Sequence, residues 1–213
     1  PIDIKIENKG QAVEVANRLV KSFYSVELTP IVEDYGGEPN YIYVSYKDYK
    51  KKMEYYVSLN IGDNKNVYVS RMPMYEEGME YDYDQTTQKA VISYNQAYDI
   101  AIKQLAKIMT PEEIKLIDFG QRNYIYEPYQ ENQIEYYFNF PKKVNGIIFP
   151  EEFVDVRVNG ITKEVESISL FWDNAKTFDS LDNIIKPEAA NAKFLSDKTM
   201  ELRYTMDYNE TQK

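Results

Sequence analysis

The side chains best able to do chemistry in this sequence are carboxylates that fall in pairs: Glu76 with Glu77, Asp82 with Asp84, Glu112 with Glu113, and Glu151 with Glu152. Two carboxyl groups facing each other across a cleft at about 5–10 Å would make a glycosidase. Neighbouring pairs in loops and at helix starts are read instead as solvated faces or caps. Glu80, Asp82 and Asp84 alternate like oxygen ligands for calcium, but the glycine and closing glutamate of an EF-hand loop are missing. The chain contains no histidine and no cysteine. Ser-His-Asp and Cys-His catalysis are therefore closed to it, and so are the usual zinc ligands and the commonest general base. Neither a glycine-rich phosphate loop nor a dinucleotide fingerprint occurs. The expectation is a protein that is not an enzyme, with no catalytic residue, no metal and no cofactor.

Composition narrows the partners. Thirty-five acidic against 25 basic residues leave a formal charge of −10, which repels nucleic acid and anionic lipid. The one basic run, Lys50-Lys51-Lys52, is read as a solvated turn or strand end. No apolar run approaches the roughly 18 residues of a membrane span, so no membrane insertion is expected. The sequence opens at Pro1 rather than Met and shows no signal-peptide pattern, which fits either a removed leader or a piece of a longer protein. The chain is accordingly expected to be a fragment of a longer exported protein, extracellular or at the cell surface. Its 21 tyrosines suit half-buried strands, where the ring packs and the hydroxyl stays wet. A tyrosine-rich binding surface is the sharper alternative.

Two amphipathic helices must hold such a sheet. From Gln11 to Phe23 the apolar positions are Ala12, Val15, Ala16, Leu19, Val20 and Phe23; from Gln96 to Met109 they include Ala97, Ile100, Ala101, Leu105 and Ile108. Both follow the i, i+3, i+4 stripe of a helix with one buried face. Asn8 with Gln11, and Ser93 with Gln96, supply N-caps and reciprocal partners. Strand patterns follow each helix: Tyr41 to Tyr46, Tyr55 to Leu59 and Val67 to Met72, then Ile114 to Phe119, Asn123 to Tyr129, Ile134 to Phe140, Phe153 to Val158 and Ile161 to Trp172. Gly62-Asp63-Asn64 marks one hairpin, and Asn159-Gly160 reads as the strongest short hairpin signal. Thr110-Pro111-Glu112-Glu113 opens a short extra helical turn. Tyr75 to Gln88, acidic and aromatic, reads as a linker.

The two halves look alike. Gln11-Ala12 matches Gln96-Ala97, Val15 matches Ile100, Val57 matches Val154 and Val67 matches Val165, with an insertion in the second copy around Gly146 to Glu152. A third helix start at Ile184 to Ala189 resembles Ile92 to Ala97. The expected class is α+β, in tandem units of one amphipathic helix packed on an antiparallel sheet. Residues 1–83 would form a first repeat, 84–180 a second, and 181–213 the start of a truncated third.

The stretch Ile92-Ser93 to Ala101, together with Val154 to Val158 and Thr162 to Trp172, resembles PepSY-like repeats, and most closely the YcdB/YcdC repeated domain of bacterial surface proteins. The resemblance implies a PepSY/cystatin-like fold and a secreted or surface-attached setting. It also implies a protein or peptide partner, a peptidase among them, in a binding or inhibitory role. In that family the final hairpin turn usually reads Thr-Gly-Lys/Glu-Val, and here Lys163 stands where the glycine would be. Tyr124, Tyr126, Tyr129, Tyr136 and Tyr137 are the candidate partner surface. Alternation puts Tyr136, Phe138 and Phe140 on one face and Tyr137 on the other. If those tyrosines are exposed, a cell-wall glycan is the alternative partner.

Overall fold

The computed structural model describes residues 1–33, 40–62, 65–74, 89–120, 134–178 and 185–197. The chain divides into two compact units, Pro1–Thr177 and Phe178–Lys213.

In the first unit, helix α1 spans Lys9–Tyr24 and buries Ala12, Val15, Ala16, Leu19 and Val20. Helix α2 spans Tyr94–Ile108 and buries Ala97, Ala101, Leu105 and Ile108. The buried positions are the stripes legible in the sequence. Helices of this length are marginal alone in water, and each large side chain buried contributes roughly 1.5–3 kcal/mol toward holding them. The caps are formed as well. Asn8 Oδ1 accepts the Gln11 amide, and Ser93 and Gln96 close a complete capping box. At α1 the Gln11 side chain takes the Glu7 amide rather than that of Asn8. A third, one-turn helix, α3 (Pro111–Ile114), is opened by the Thr110–Glu113 box.

Seven strands form one antiparallel sheet. They are β1 (Ile31–Glu33), β2 (Tyr41–Asp48), β3 (Met53–Asn60), β4 (Lys65–Pro73), β5 (Glu135–Val144), β6 (Ile147–Asn159) and β7 (Val165–Trp172). Their spatial order is β1-β2-β3-β4-β7-β6-β5. Each long helix thus precedes a three-strand meander, β2-β3-β4 or β5-β6-β7, and the last strands of the two meanders pair at the centre of the sheet. One core joins both helices to the alternate residues of every strand from β2 to β7: Val44 and Tyr46, Val57 and Leu59, Val67 and Val69, Ile168 and Leu170, Val154 and Val156, Phe138 and Phe140. Both helices therefore lie on the same side of the sheet. The α1 end of the core is largely aliphatic. Under α2, Tyr94 and Tyr98 lie 5.2 and 5.5 Å from Phe138, ring centre to ring centre.

Some local expectations are corrected. Asn159-Gly160 is not a two-residue hairpin turn. Asn159 Oδ1 accepts the amides of Ile161 and Thr162 in a longer loop, and β7 begins only at Val165. The tight turn belongs to Asn145-Gly146, where φ is 53° and 82° and Val144 pairs directly with Ile147. Positive φ at both central positions is what a type I′ hairpin requires. The expected insertion around Gly146 to Glu152 is thus the outer arm of the β5–β6 hairpin. Ile114 to Phe119 is not a strand. It leaves α3 as a turn, bridges to the sheet at Ile117 and Lys142, and meets β5 again where Asp118 pairs with Lys143 and the Phe119 ring packs on Phe140. Strand β1 has no counterpart in the sequence reading. Lys50 to Lys52 is a turn, held by the amides of Lys50 and Lys51 donating to Asp48 Oδ1. The strand expected at Asn123 to Tyr129, and the linker Tyr75 to Gln88 with its alternating acids, lie outside the described residues.

In the second unit the described element is α4 (Pro187–Asp197), which leaves Ile185, Phe194 and Leu195 exposed around it.

Candidate functional site

The helices cover one side of the sheet, and the strand residues between the core positions build the other. Strand pairing carries two continuous rows across this open face. One runs Tyr137, Arg157, Ser167, Ser70, Tyr56 and Ser45. The next runs Asn139, Asp155, Ser169, Tyr68, Ser58 and Tyr43. Ser45 and Ser70 are buried within the first row, while the rings of Tyr137 and Tyr68 are exposed. Tyr137, 58% exposed, and Tyr68 and Phe171, each 39% exposed, are the most accessible rings of this face among the described residues. The rings are fixed from below. Arg157 Nη1 donates to the Tyr137 hydroxyl at 3.0 Å and its guanidinium lies over the Tyr137 ring. The Phe153 and Phe171 rings meet at 5.1 Å. Asn139 Nδ2 donates to Asp155 Oδ1 at 2.7 Å. Burial of Asp155 pushes its carboxyl above the usual aspartate value, against the pull of that bond.

The candidate tyrosines part company here. Tyr137 faces out. Tyr136 is buried under α2 and donates its hydroxyl to the Ile92 carbonyl at 2.7 Å, so it belongs to the core and not to a partner surface. Tyr124, Tyr126 and Tyr129 lie outside the described residues. Trp172 is in the core, as its place at the end of the last strand suggested. Tyr68 and Phe171 were missed. Their signal was alternation against Val67, Val69, Leu170 and Trp172, whose side chains point inward.

Two of the carboxylate pairs are split between surface and interior. Glu112 and Glu151 are exposed, while Glu113 is 6% and Glu152 3% accessible. Glu113 bridges the halves of the sheet. Its Oε1 accepts from Lys65 Nζ at 2.6 Å and from Asn174 Nδ2 at 2.9 Å, and its Oε2 accepts from the Thr110 amide and hydroxyl. Glu152 Oε2 accepts from Lys142 Nζ at 2.7 Å and from the Asp173 amide, and Lys176 Nζ stands 3.2 Å from Oε1. The Lys142 ammonium also lies 4.8 Å from the centre of the Trp172 ring. Burial alone would raise both carboxyl groups. The lysine and amide donors outweigh it and hold each below the usual glutamate value. An ionised carboxylate held by lysine and amide donors is a poor general acid and a poor nucleophile. These groups fasten the segment after β7 to α3 and to the β5–β6 hairpin. Among the described residues no three His, Cys, Asp or Glu side chains converge to hold a metal ion, and no helix is long and apolar enough to cross a membrane.

A helix-covered antiparallel sheet with an open aromatic face and pinned interior acids defines a small α+β module. The chain belongs to the YcdB, YcdC repeated domain family, whose model matches residues 10–171. No curated protein and no solved structure matches it significantly.

Proposed function

We propose that this chain is a non-catalytic interaction module of a secreted or cell-surface bacterial protein, and that it binds a protein or peptide, a peptidase first among the candidates. The observation that supports this reading is the open face, where Tyr137, Tyr68 and Phe171 project from a sheet whose other side packs against α1 and α2. Rigid aromatic side chains contribute large contact area with little rotamer entropy to lose, and arginine beside tyrosine is the composition of binding hot spots. Among the described residues, Glu113 and Glu152, the buried members of two carboxylate pairs, are engaged in internal ion pairs with Lys65 and Lys142. We further read the two helix-plus-meander halves as tandem PepSY/cystatin-like copies, with α4 as the start of a third.

The test is titration of the chain with the exported peptidases of its source bacterium, comparing wild type with Tyr137→Ala, Tyr68→Ala and Phe171→Ala. Binding weakened by about 1–2 kcal/mol for each change is the expected result. A glycan of the cell wall is the second reading, favoured by the same rings standing beside the hydrogen-bonding groups of Asn66, Asn139 and Asp155. It takes precedence if purified wall glycan binds saturably, loses binding in the same variants, and no protein does.

A further inference from the structure

At the edge of the sheet farthest from Tyr137, beside α1, the surface opens into a cleft of about 580 Å³. Its floor is apolar, formed by Val20 of α1, Val26 and Leu28 of the segment leaving the helix, and Tyr46 of β2. The floor is held in place, because the Tyr46 hydroxyl donates to Asn17 Oδ1 at 2.9 Å. Arg18 and Lys21 stand on the rim, with Glu27 paired to Lys21. The rim is therefore positive on balance in a chain whose formal charge is −10.

The same segment runs directly into β1, the last strand of the sheet on this side. β1 pairs with β2 on its inner side, Ile31 to Ser45, Val32 to Val44 and Glu33 to Tyr43. No strand among the described residues pairs with its outer side. β1 is three residues long and ends in Glu33, but its first two residues, Ile31 and Val32, are apolar and exposed. Val32 pairs with Val44 and so shares the helix side of the sheet with Tyr46 and the cleft. Ile31 pairs with Ser45 and shares the open side.

From this juxtaposition of a short edge with exposed apolar residues and a cleft with an apolar floor and a basic rim, we propose a second binding site. It takes an extended acidic peptide that adds to the sheet outside β1. In such a strand alternate side chains fall on opposite faces. Those on the helix side lie over the cleft, where an apolar side chain meets Val20, Val26, Leu28 and Tyr46 and a carboxylate meets Arg18 and Lys21. Backbone pairing with β1 supplies register, and the rim selects acid over base. The site is separate from the aromatic face and does not depend on it.

The experiment uses the full chain and an acetylated, amidated octapeptide in which threonines alternate with leucine and glutamate. A matched peptide carries lysine in place of each glutamate. The glutamate peptide should bind saturably and slow amide exchange at Ile31, Val32 and Glu33. The lysine peptide should bind at least about tenfold more weakly, a difference of one salt-bridged contact. Arg18→Glu with Lys21→Glu should invert that preference, and Arg18→Gln with Lys21→Gln should abolish it. Circular dichroism and the unfolding midpoint of each variant establish that it is folded. Failure of the glutamate peptide to saturate would overturn the proposal. So would binding without protection of β1, or a peptide preference unchanged in variants that remain folded.

Discussion

Glu113 and Glu152 show how far a residue's chemistry depends on which side of a chain it faces. In sequence each is the second member of an acidic pair and looks like its exposed neighbour. The burial of Glu152 and Lys142 was nonetheless legible. The inward row Val154, Val156, Val158 extends backward by one step to residue 152, and Tyr136, Phe138, Phe140 extends forward to 142. A buried pair is costly to break, because the surviving charge is left without compensation. Glu152→Ala and Glu113→Ala should each cost about 3 kcal/mol. Glu151→Ala and Glu112→Ala should stay within about 0.5 kcal/mol. Urea unfolding of the four variants checks this, and equal costs within each pair would contradict the assignment. The pH dependence carries a definite sign. Both carboxyl groups are held below their usual value of 4.5 in the fold, so the unfolded chain binds protons first as pH falls. Their contribution is complete above the ordinary glutamate value and is lost as pH drops through the depressed folded values. The urea midpoint of Glu113→Gln/Glu152→Gln should therefore fall less steeply than that of wild type over this acid range.

Among elements, the helices were the most legible and the turns the least. Helix stripes repeat over several turns and are reinforced by caps, whereas a turn is decided by two or three backbone angles. Both Asn-Gly dipeptides carry the same local signal, but only Asn145-Gly146 is flanked by residues that pair at once. Gly160 is required for another reason. A Cβ there would stand 2.8 Å from Ala90 Cβ and from Tyr136 Cε2 and 2.9 Å from the Ile134 carbonyl oxygen. Gly160→Ala should destabilise by about 1–3 kcal/mol through overpacking. In the same loop Lys163 adopts φ 63°, the left-handed conformation that costs a side-chain-bearing residue but not glycine. Lys163→Gly should accordingly raise stability by about 0.5–1 kcal/mol. A thermal midpoint that falls in Lys163→Gly, or is unchanged in Gly160→Ala, would show that the loop is built differently.

At the scale of the molecule, the two halves that read as repeats are joined by more than adjacency. β4 pairs with β7 over six residue pairs, from Lys65 with Trp172 to Ser70 with Ser167. Lys65 reaches Glu113, and Arg71 reaches Glu164 and Glu166. Lys107 Nζ at the end of α2 donates to the Ser22 carbonyl near the end of α1, and the Ile2 amide donates to the Lys107 carbonyl. Residues 1–177 should unfold in one transition, and residues 1–83 alone, with the β4 edge and the Val67–Val69 row laid bare, should not fold cooperatively. Two separated transitions in urea would refute this. The helix-then-meander order of each half was readable from periodicity. Their fusion into one sheet was not, because strand alternation says which face is buried and nothing about which strand lies next to which. The open face followed the same logic. Its existence came from alternation, and two exposed rings beside Tyr137, those of Tyr68 and Phe171, were found only once the partners of β4 and β7 were known.

The central claim is that this face, rather than any reactive group, carries the function. Its most direct test is a calorimetric titration of one exported peptidase, and in parallel of purified wall glycan, into wild type and into the folded Tyr68→Ala/Tyr137→Ala/Phe171→Ala variant. The account predicts saturable binding of the protein to wild type, weakened at least about a hundredfold in the variant, with no turnover in either. Equal affinity for both chains would contradict it, as would saturable binding confined to the glycan or hydrolysis abolished by changing a single carboxylate.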